Sequence, residues 1–235
     1  TQEPIPVRPG AHYMMGGIDV NIDCETDIKG FFAAGECACV SVHGTNRLGG
    51  NSLLETIVFG RRSGRSVAQY LEDDRSNKSV AAMADAIRSN IKTMQKLTDG
   101  SGNEEPSRLR KEMNDVMDKN LTIFRSEENL EEAVTQLRDI HDRYDRMRPI
   151  YGGSTFNYDL IWAFELNGSL SLAEVVAAGA LERQESRGSH YRIDHPKRDD
   201  ANWLRHTIAR AGEKGPNLQT KPVSITKWPP DERKY

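Results

Sequence analysis

GFFAAGECACVSVHGTNRLGGNSLLE, residues Gly30 to Glu55, decides how the chain folds. Gly30-Phe31-Phe32-Ala33-Ala34-Gly35 is a short apolar run that stops at a glycine, which predicts a buried strand. His43 to Gly50 has no helical period and holds three glycines, so the backbone turns there and can approach a ligand closely. Ser52-Leu53-Leu54-Glu55 then reads as a capping box, with the serine accepting from the N3 amide and the glutamate reaching back to the serine amide. Leu53, Leu54, Ile57, Val58, Val67, Ala68 and Leu71 continue it at helical spacing. The helix N-terminus, with free amides and partial positive charge, thus follows directly on the glycine loop, a place that favours an electron-rich ligand.

Further along, the character changes. From Ser79 the sequence predicts long amphipathic helices and no strands. Val80, Met83, Ala84, Ile87, Ile91 and Met94 form one apolar face, Leu109, Met113, Val116 and Met117 a second, and Leu130, Ala133, Val134, Leu137, Ile140, His141 and Tyr144 a third. The breaks at Thr98 to Pro106 and Asn120 to Glu127 are short enough to make consecutive helices antiparallel neighbours in a three-helix bundle. A more uniformly apolar helix follows from about Tyr158 to Arg183, with Trp162, Phe164, Leu166, Leu170, Leu172, Val175 and Val176, and is expected to be buried on more than one side. Beyond Arg187 the chain reads as polar and irregular, with a short strand-like Val223-Ser224-Ile225-Thr226 before Pro229 and Pro230.

Composition narrows the function. With 235 residues the chain can bury one substantial core or two smaller ones. Charged residues make up 29% and nearly cancel to a net charge of −3, which argues against nucleic acid as a partner. Arg61, Arg62 and Arg65 are expected to form the solvated face of a helix. The longest apolar candidate for a membrane span, Gly30 to Val42, is interrupted by Glu36 and falls short of the roughly 20 residues required, so membrane association would need a partner. Cys24, Cys37 and Cys39 lack the spacing of a zinc or iron–sulfur site and are expected to be reduced, partly buried thiols, with no metal bound. The chain starts at Thr1 without a signal segment, which reads as a fragment.

Candidate site residues lie in the first 60 positions. His12, before Met14-Met15-Gly16-Gly17, places a titratable imidazole next to a double glycine, although a lone histidine is more often structural. Glu36 should emerge at a strand end, where ligands of open α/β sheets bind, and can accept from sugar-like hydroxyls. Arg47, flanked by glycines, offers a guanidinium fork that matches a carboxylate bidentately. Ser52 is accounted for as a cap whether or not it meets a ligand.

Together, Gly30 to Glu55, His12 to Gly17, Glu185-Ser186-Arg187-Gly188-Ser189-His190, Arg198-Asp199-Asp200-Ala201-Asn202-Trp203-Leu204 and Pro229-Pro230 resemble the flavoprotein subunit of succinate dehydrogenase and fumarate reductase. The resemblance covers essentially the whole chain. It implies an α+β fold: the C-terminal part of an FAD-binding domain over residues 1–75, the helical bundle over 76–184 and an irregular C-terminal segment over 185–235. It implies that Glu36 bonds the ribityl or ribose hydroxyls of FAD, that Ser52 and Leu53 approach the N1/O2 edge of the flavin, and that His12 and Arg47 hold the carboxylates of succinate or fumarate. Neither His12 nor Arg47 is expected to be the proton donor. The family's proton-shuttling arginine, flavin-linking histidine and dinucleotide glycine loop lie upstream of the motifs matched here, so the fragment alone is expected to be inactive without the N-terminal half of the subunit. The implied partners are an iron–sulfur subunit and membrane-anchor subunits, and the implied location is cytoplasmic, peripheral at the inner face of the cell membrane. L-Aspartate oxidase is a second, weaker resemblance, because its loop usually departs from Arg47-Leu48-Gly49-Gly50-Asn51-Ser52 after the arginine. A purely structural role as an assembly module is the alternative from another class. Asp23-Cys24-Glu25-Thr26 and the tail look more like fumarate reductase, whereas Cys39 to His43 looks more like the dehydrogenase.

Overall fold

A computed structural model describes residues 4–6, 10, 12–73, 80–99, 101–151, 153 and 155–231. The chain divides into two compact units, one of residues 1–76 with 187–189 and the other of residues 77–186 with 190–235.

In the first unit β1 (Ile18–Asp19) pairs in parallel with β2 (Ala38–Cys39), Ile18 opposite Ala38 and Asp19 opposite Cys39. The expected strand over 30–35 is absent. Instead Gly30 takes φ +82° in a turn closed by Phe31 N–H donating to Ile28 O (2.9 Å), and the chain returns antiparallel along Cys24 to Thr26. Ala33 N–H donates to Cys24 O and Thr26 N–H to Phe31 O, a hairpin too short to form a ladder, and Phe31 points outward. The run is apolar because it supplies Ala33 to a small core with Val20 and Ala38, not because it crosses a sheet. The three cysteines carry no disulfide; Cys24 is fully buried, and burial pushes its thiol pKa up.

Helix α1 runs Asn51–Asp73 and buries only Glu55 and Phe59. The stripe Leu53, Leu54, Ile57, Val58 and Leu71 is exposed. The helical period was right, but the face turned to the unit's own core is the one bearing Glu55 and Phe59. Of the arginine cluster, Arg62 pairs with Asp23 at 2.7 Å.

The second unit is mostly helical. Its helices are α2 (Val80–Asp99), α3 (Pro106–Asn120), α4 (Glu127–Tyr144), α5 (Tyr158–Glu182) and the single turn α6 (Asp200–Trp203). Proline at the first turn starts α3, while Ser126 Oγ accepts from Asn129 N–H to cap α4 and Asn157 Oδ1 accepts from Leu160 N–H to cap α5. The core is built where α3, α4 and α5 meet, from Leu109, Met113, Leu130, Leu137, Leu166 and Leu170 among others, whereas α2 packs chiefly on α5. The packed trio is therefore not the consecutive one expected from loop length. On α2 it is Leu97 that is buried, while Met83, Ile87 and Ile91 are exposed.

Helix α5, not 30–42, is the stretch long and apolar enough by composition to cross a membrane, as the one such helix among the described residues. It lines the core with Ala163, Leu166, Leu170, Ala173 and Ala177, yet Trp162 and Leu172 are exposed. Its buried Glu174 is bonded by His141 Nδ1 of α4, whose Nε2 meets Asn167 Oδ1 at 3.0 Å. This pair accounts for the carboxylate that α5 buries, since a buried charge must be matched.

The end of the chain is more ordered than expected. The two-residue strands β3 (Phe124–Arg125) and β4 (Tyr191–Arg192) pair in parallel, and β5 (Arg205–Arg210) forms an antiparallel ribbon with β6 (Asn217–Pro222). Val223 to Thr226, read as strand, lies just past it. Arg183 ties the ribbon to the end of α5: its guanidinium donates to Trp203 O, Arg205 O and Thr207 Oγ1, bonds Glu185, and lies over the Trp203 ring.

Candidate functional site

Ser41 and Gly44 both take left-handed backbone (φ +69° and +62°), and Gly50 (φ +81°) ends the loop. Asn51 N–H donates to Leu48 O and Leu54 N–H to Gly50 O, so α1 begins at Asn51. Ser52 is therefore the second residue of the helix and not its cap, and Gly50 occupies the capping position. Glu55 does not reach back to Ser52 either. Its carboxylate is drawn inward, where Oε2 accepts from Tyr13 OH (2.5 Å) and meets His43 Nε2 (2.7 Å). The sequence pattern of a capping box was present, but two part-buried side-chain partners outcompete a local bond to the Ser52 amide.

The structure brings His12 and Arg47 together. Arg47 Nη2 donates to His12 Nε2 at 3.1 Å, which leaves the ring proton on Nδ1, and Nη1 donates to Leu48 O at 3.1 Å. The guanidinium lies over the Tyr13 ring, 4.6 Å from its centroid. Arg47 Nε and His43 Nδ1 are buried without a hydrogen-bond partner among the described residues. A buried cationic donor left unmatched costs free energy until an acceptor reaches it, so an anion suits this position. Burial, then the hydrogen bond and negative charge of Glu55, push the Tyr13 phenol up to about 12, so it stays a donor.

Glu36 sits at the turn before β2, exposed, with Oε1 accepting from Met14 N–H at 2.9 Å. This bond and the close approach of Gly17, where a Cβ would stand 2.5 Å from Cys37 O, link the His12 segment to the Glu36 turn. Leu53 is 70% exposed in the first turn of α1, beside Ser52. An exposed carboxylate, a helix N-terminus behind a glycine loop and an exposed apolar side chain are the contacts a nucleotide-linked aromatic cofactor needs, and they fit one here.

Residues far along the chain complete the loop. Ser189 N–H (3.1 Å) and Ser189 Oγ (2.5 Å) both donate to Thr45 O. Gly188 has φ +58°, and a Cβ there would collide with Thr45 Oγ1 and stand 2.9 Å from its carbonyl carbon. The Arg47 loop is thus held by a turn only glycine can make. Tyr13, His43, Glu55 and this Gly188-Ser189 hook were not singled out as site residues from sequence. Tyr13 and the hook lie inside quoted motifs, whereas Glu55 was masked by its apparent role as a cap.

Comparison with known proteins identifies the family and its cofactor. Residues 1–53 match the family model "FAD binding domain" and residues 110–235 match "Fumarate reductase flavoprotein C-term". The fumarate reductase flavoprotein subunit of Haemophilus influenzae is 43% identical over 99% of the chain, and the succinate dehydrogenase flavoprotein subunit of Coxiella burnetii is 38% identical over 99%. The chain spans 39% and 41% of their lengths. Among solved structures, Escherichia coli quinol fumarate reductase superposes with a TM-score of 0.90 at 39% identity, covering 98% of this chain and 40% of that one.

Proposed function

As the chain belongs to the fumarate reductase and succinate dehydrogenase flavoprotein family, whose cofactor is FAD, we propose that it supplies one wall of a site that interconverts succinate and fumarate. When bound, FAD supplies the two-electron chemistry, exchanging a hydride with a carbon of the dicarboxylate. The chain's own residues bind and orient. Glu36 accepts from ribityl or ribose hydroxyls, and Ser52 and Leu53 approach the flavin at the N-terminus of α1, whose partial positive charge favours a negatively charged reduced ring. Arg47 and His12 bind the substrate carboxylates, and Arg47 holds charge that grows as the substrate is polarised. Their part is to orient the substrate rather than to move the proton; the Arg47–His12 bond and the stacking on Tyr13 hold the guanidinium in place for it.

The observation that carries this reading is the adjacency of Arg47 and His12, with the buried Arg47 Nε unmatched, in the glycine loop that leads into α1. The remainder of the flavoprotein subunit supplies the proton-transfer side, so the fragment alone is inactive. Electrons pass to an iron–sulfur subunit bound to membrane anchors, which holds the assembly at the inner face of the cell membrane. Residues 1–75, 76–184 and 185–235 serve as flavin wall, helical body and closing segment. The named relatives favour this reading over an L-aspartate oxidase or a non-catalytic assembly module.

The test is anaerobic. The flavoprotein subunit that contains this chain, reduced with dithionite, should be reoxidised by fumarate. Its Glu36→Gln variant should retain less FAD. No reoxidation by fumarate in a flavin-replete subunit refutes the proposed reaction, and full retention of FAD by the variant refutes the role of Glu36.

A further inference from the structure

We infer that Glu55 is a positioning residue for the dicarboxylate site, acting on Arg47 through Tyr13. The inference rests on the reading of Arg47 as the carboxylate binder. Glu55 is 3% exposed, yet it is one of just two residues that α1 buries. A leucine there would bury apolar surface at no electrostatic cost, whereas a carboxylate must be matched by donors to be tolerated. The matching donors are Tyr13 OH and His43 Nε2, both on Oε2. Tyr13 and His43 also meet edge to face, with centroids 5.8 Å apart and planes at 87°.

Tyr13 is therefore fixed along its edge by His43 and at its tip by Glu55, with its face left for a cation. The guanidinium of Arg47 occupies that face. A phenol that donates to a carboxylate has more electron density in its ring, which strengthens attraction to the cation above it. His12 and Leu48 O take the two Nη groups, so the guanidinium plane is set from three directions. The nitrogen left without any bond, Nε, points where none of the described residues answers it. Binding a dicarboxylate then requires no rotamer search by Arg47, and affinity is gained by preorganisation.

The experiment uses the flavin-containing subunit and reads the succinate Kd from the perturbation of the flavin absorbance, together with KM and FAD content. Tyr13→Leu removes the ring and should raise Kd and KM about tenfold, the order expected for loss of a partly desolvated cation–π contact. Tyr13→Phe keeps the ring but releases the anchor, and Glu55→Gln weakens it from the other side; each should raise Kd by roughly three- to fivefold, within the range of one hydrogen bond. FAD content should not change. On an Arg47→Ala background all three should have no further effect, because their action passes through that side chain. Unchanged Kd in Tyr13→Leu and Tyr13→Phe, or losses that simply add to that of Arg47→Ala, overturn the inference. If Glu55→Gln does not fold, Tyr13→Phe decides. Full succinate affinity in Arg47→Ala itself would instead overturn the dicarboxylate reading on which the inference rests.

Discussion

Protonation of His190 should destabilise the helical unit as pH falls through the range in which free histidine titrates. His190 is buried, its Nε2–H donates to Arg183 O at 3.1 Å, and its Nδ1 accepts from Arg125 Nη1 at 2.8 Å. Those two bonds assign a neutral ring. Burial, with the positive charges of Arg125, Arg183 and Arg192, lowers its pKa to about 4 from 6.5. The unfolded chain therefore binds more protons than the folded one between these values, and stability falls as pH drops from 6.5 to 4. Each pH unit is worth about 1.4 kcal/mol, so the group costs about 3 kcal/mol at pH 4 relative to neutral. Exchange at the imidazole Cε1–H followed by mass spectrometry reads the folded pKa directly, and urea unfolding of the subunit between pH 4.5 and 7 reads the slope. His190→Gln, which can accept from Arg125 and donate to a carbonyl but does not titrate, should flatten that slope. A His190 pKa near 6.5, or an equal slope in the variant, refutes the reasoning.

Three further outcomes follow from the packing. Leu170 is fully buried where α5 meets the core, and Leu170→Ala should cost about 2–5 kcal/mol in urea unfolding. Arg143 binds Glu104 (2.9 Å) and Glu112 (2.6 Å), and these bonds hold both carboxyls below their usual range. Arg143→Met should therefore destabilise the helical unit by about 2–3 kcal/mol at pH 7, an effect that shrinks below about pH 4.5 as both carboxyls protonate. Gly188→Ala forces an alanine into left-handed backbone at about 1–2 kcal/mol and drives a Cβ into Thr45. It should raise hydrogen exchange across residues 43–47, and unchanged exchange there would mean that the loop does not depend on the hook.

Much of the helical order could be read from the sequence because apolar period and turn chemistry act locally. The gaps at Thr98 to Pro106 and Asn120 to Glu127 fall between α2, α3 and α4, and the apolar run from Tyr158 is α5. Which helices pack together was not legible. Loop length says that neighbours are antiparallel, but it does not say that the longest apolar helix, arriving last, takes the place beside α3 and α4. The ribbon of β5 and β6 was missed because both strands are mostly polar, with single apolar residues such as Ile208 and Leu218 that make no alternation, and their order rests on the backbone ladder. At the site, the glycine loop signalled a ligand; a shared role for His12 and Arg47 was implied only by resemblance, and their direct contact was not legible. Glu55 was misread because a motif for local capping and a buried anchor for Tyr13 use the same residue, and only distance separates them.

Arg47→Ala in the flavin-containing subunit tests the central claim most directly, by rapid-mixing measurement of fumarate-dependent reoxidation with FAD content measured on the same sample. The account predicts retained flavin with reoxidation abolished. Reoxidation at the rate of the unaltered subunit would contradict it, and loss of flavin together with activity would show that Arg47 holds the loop rather than the dicarboxylate.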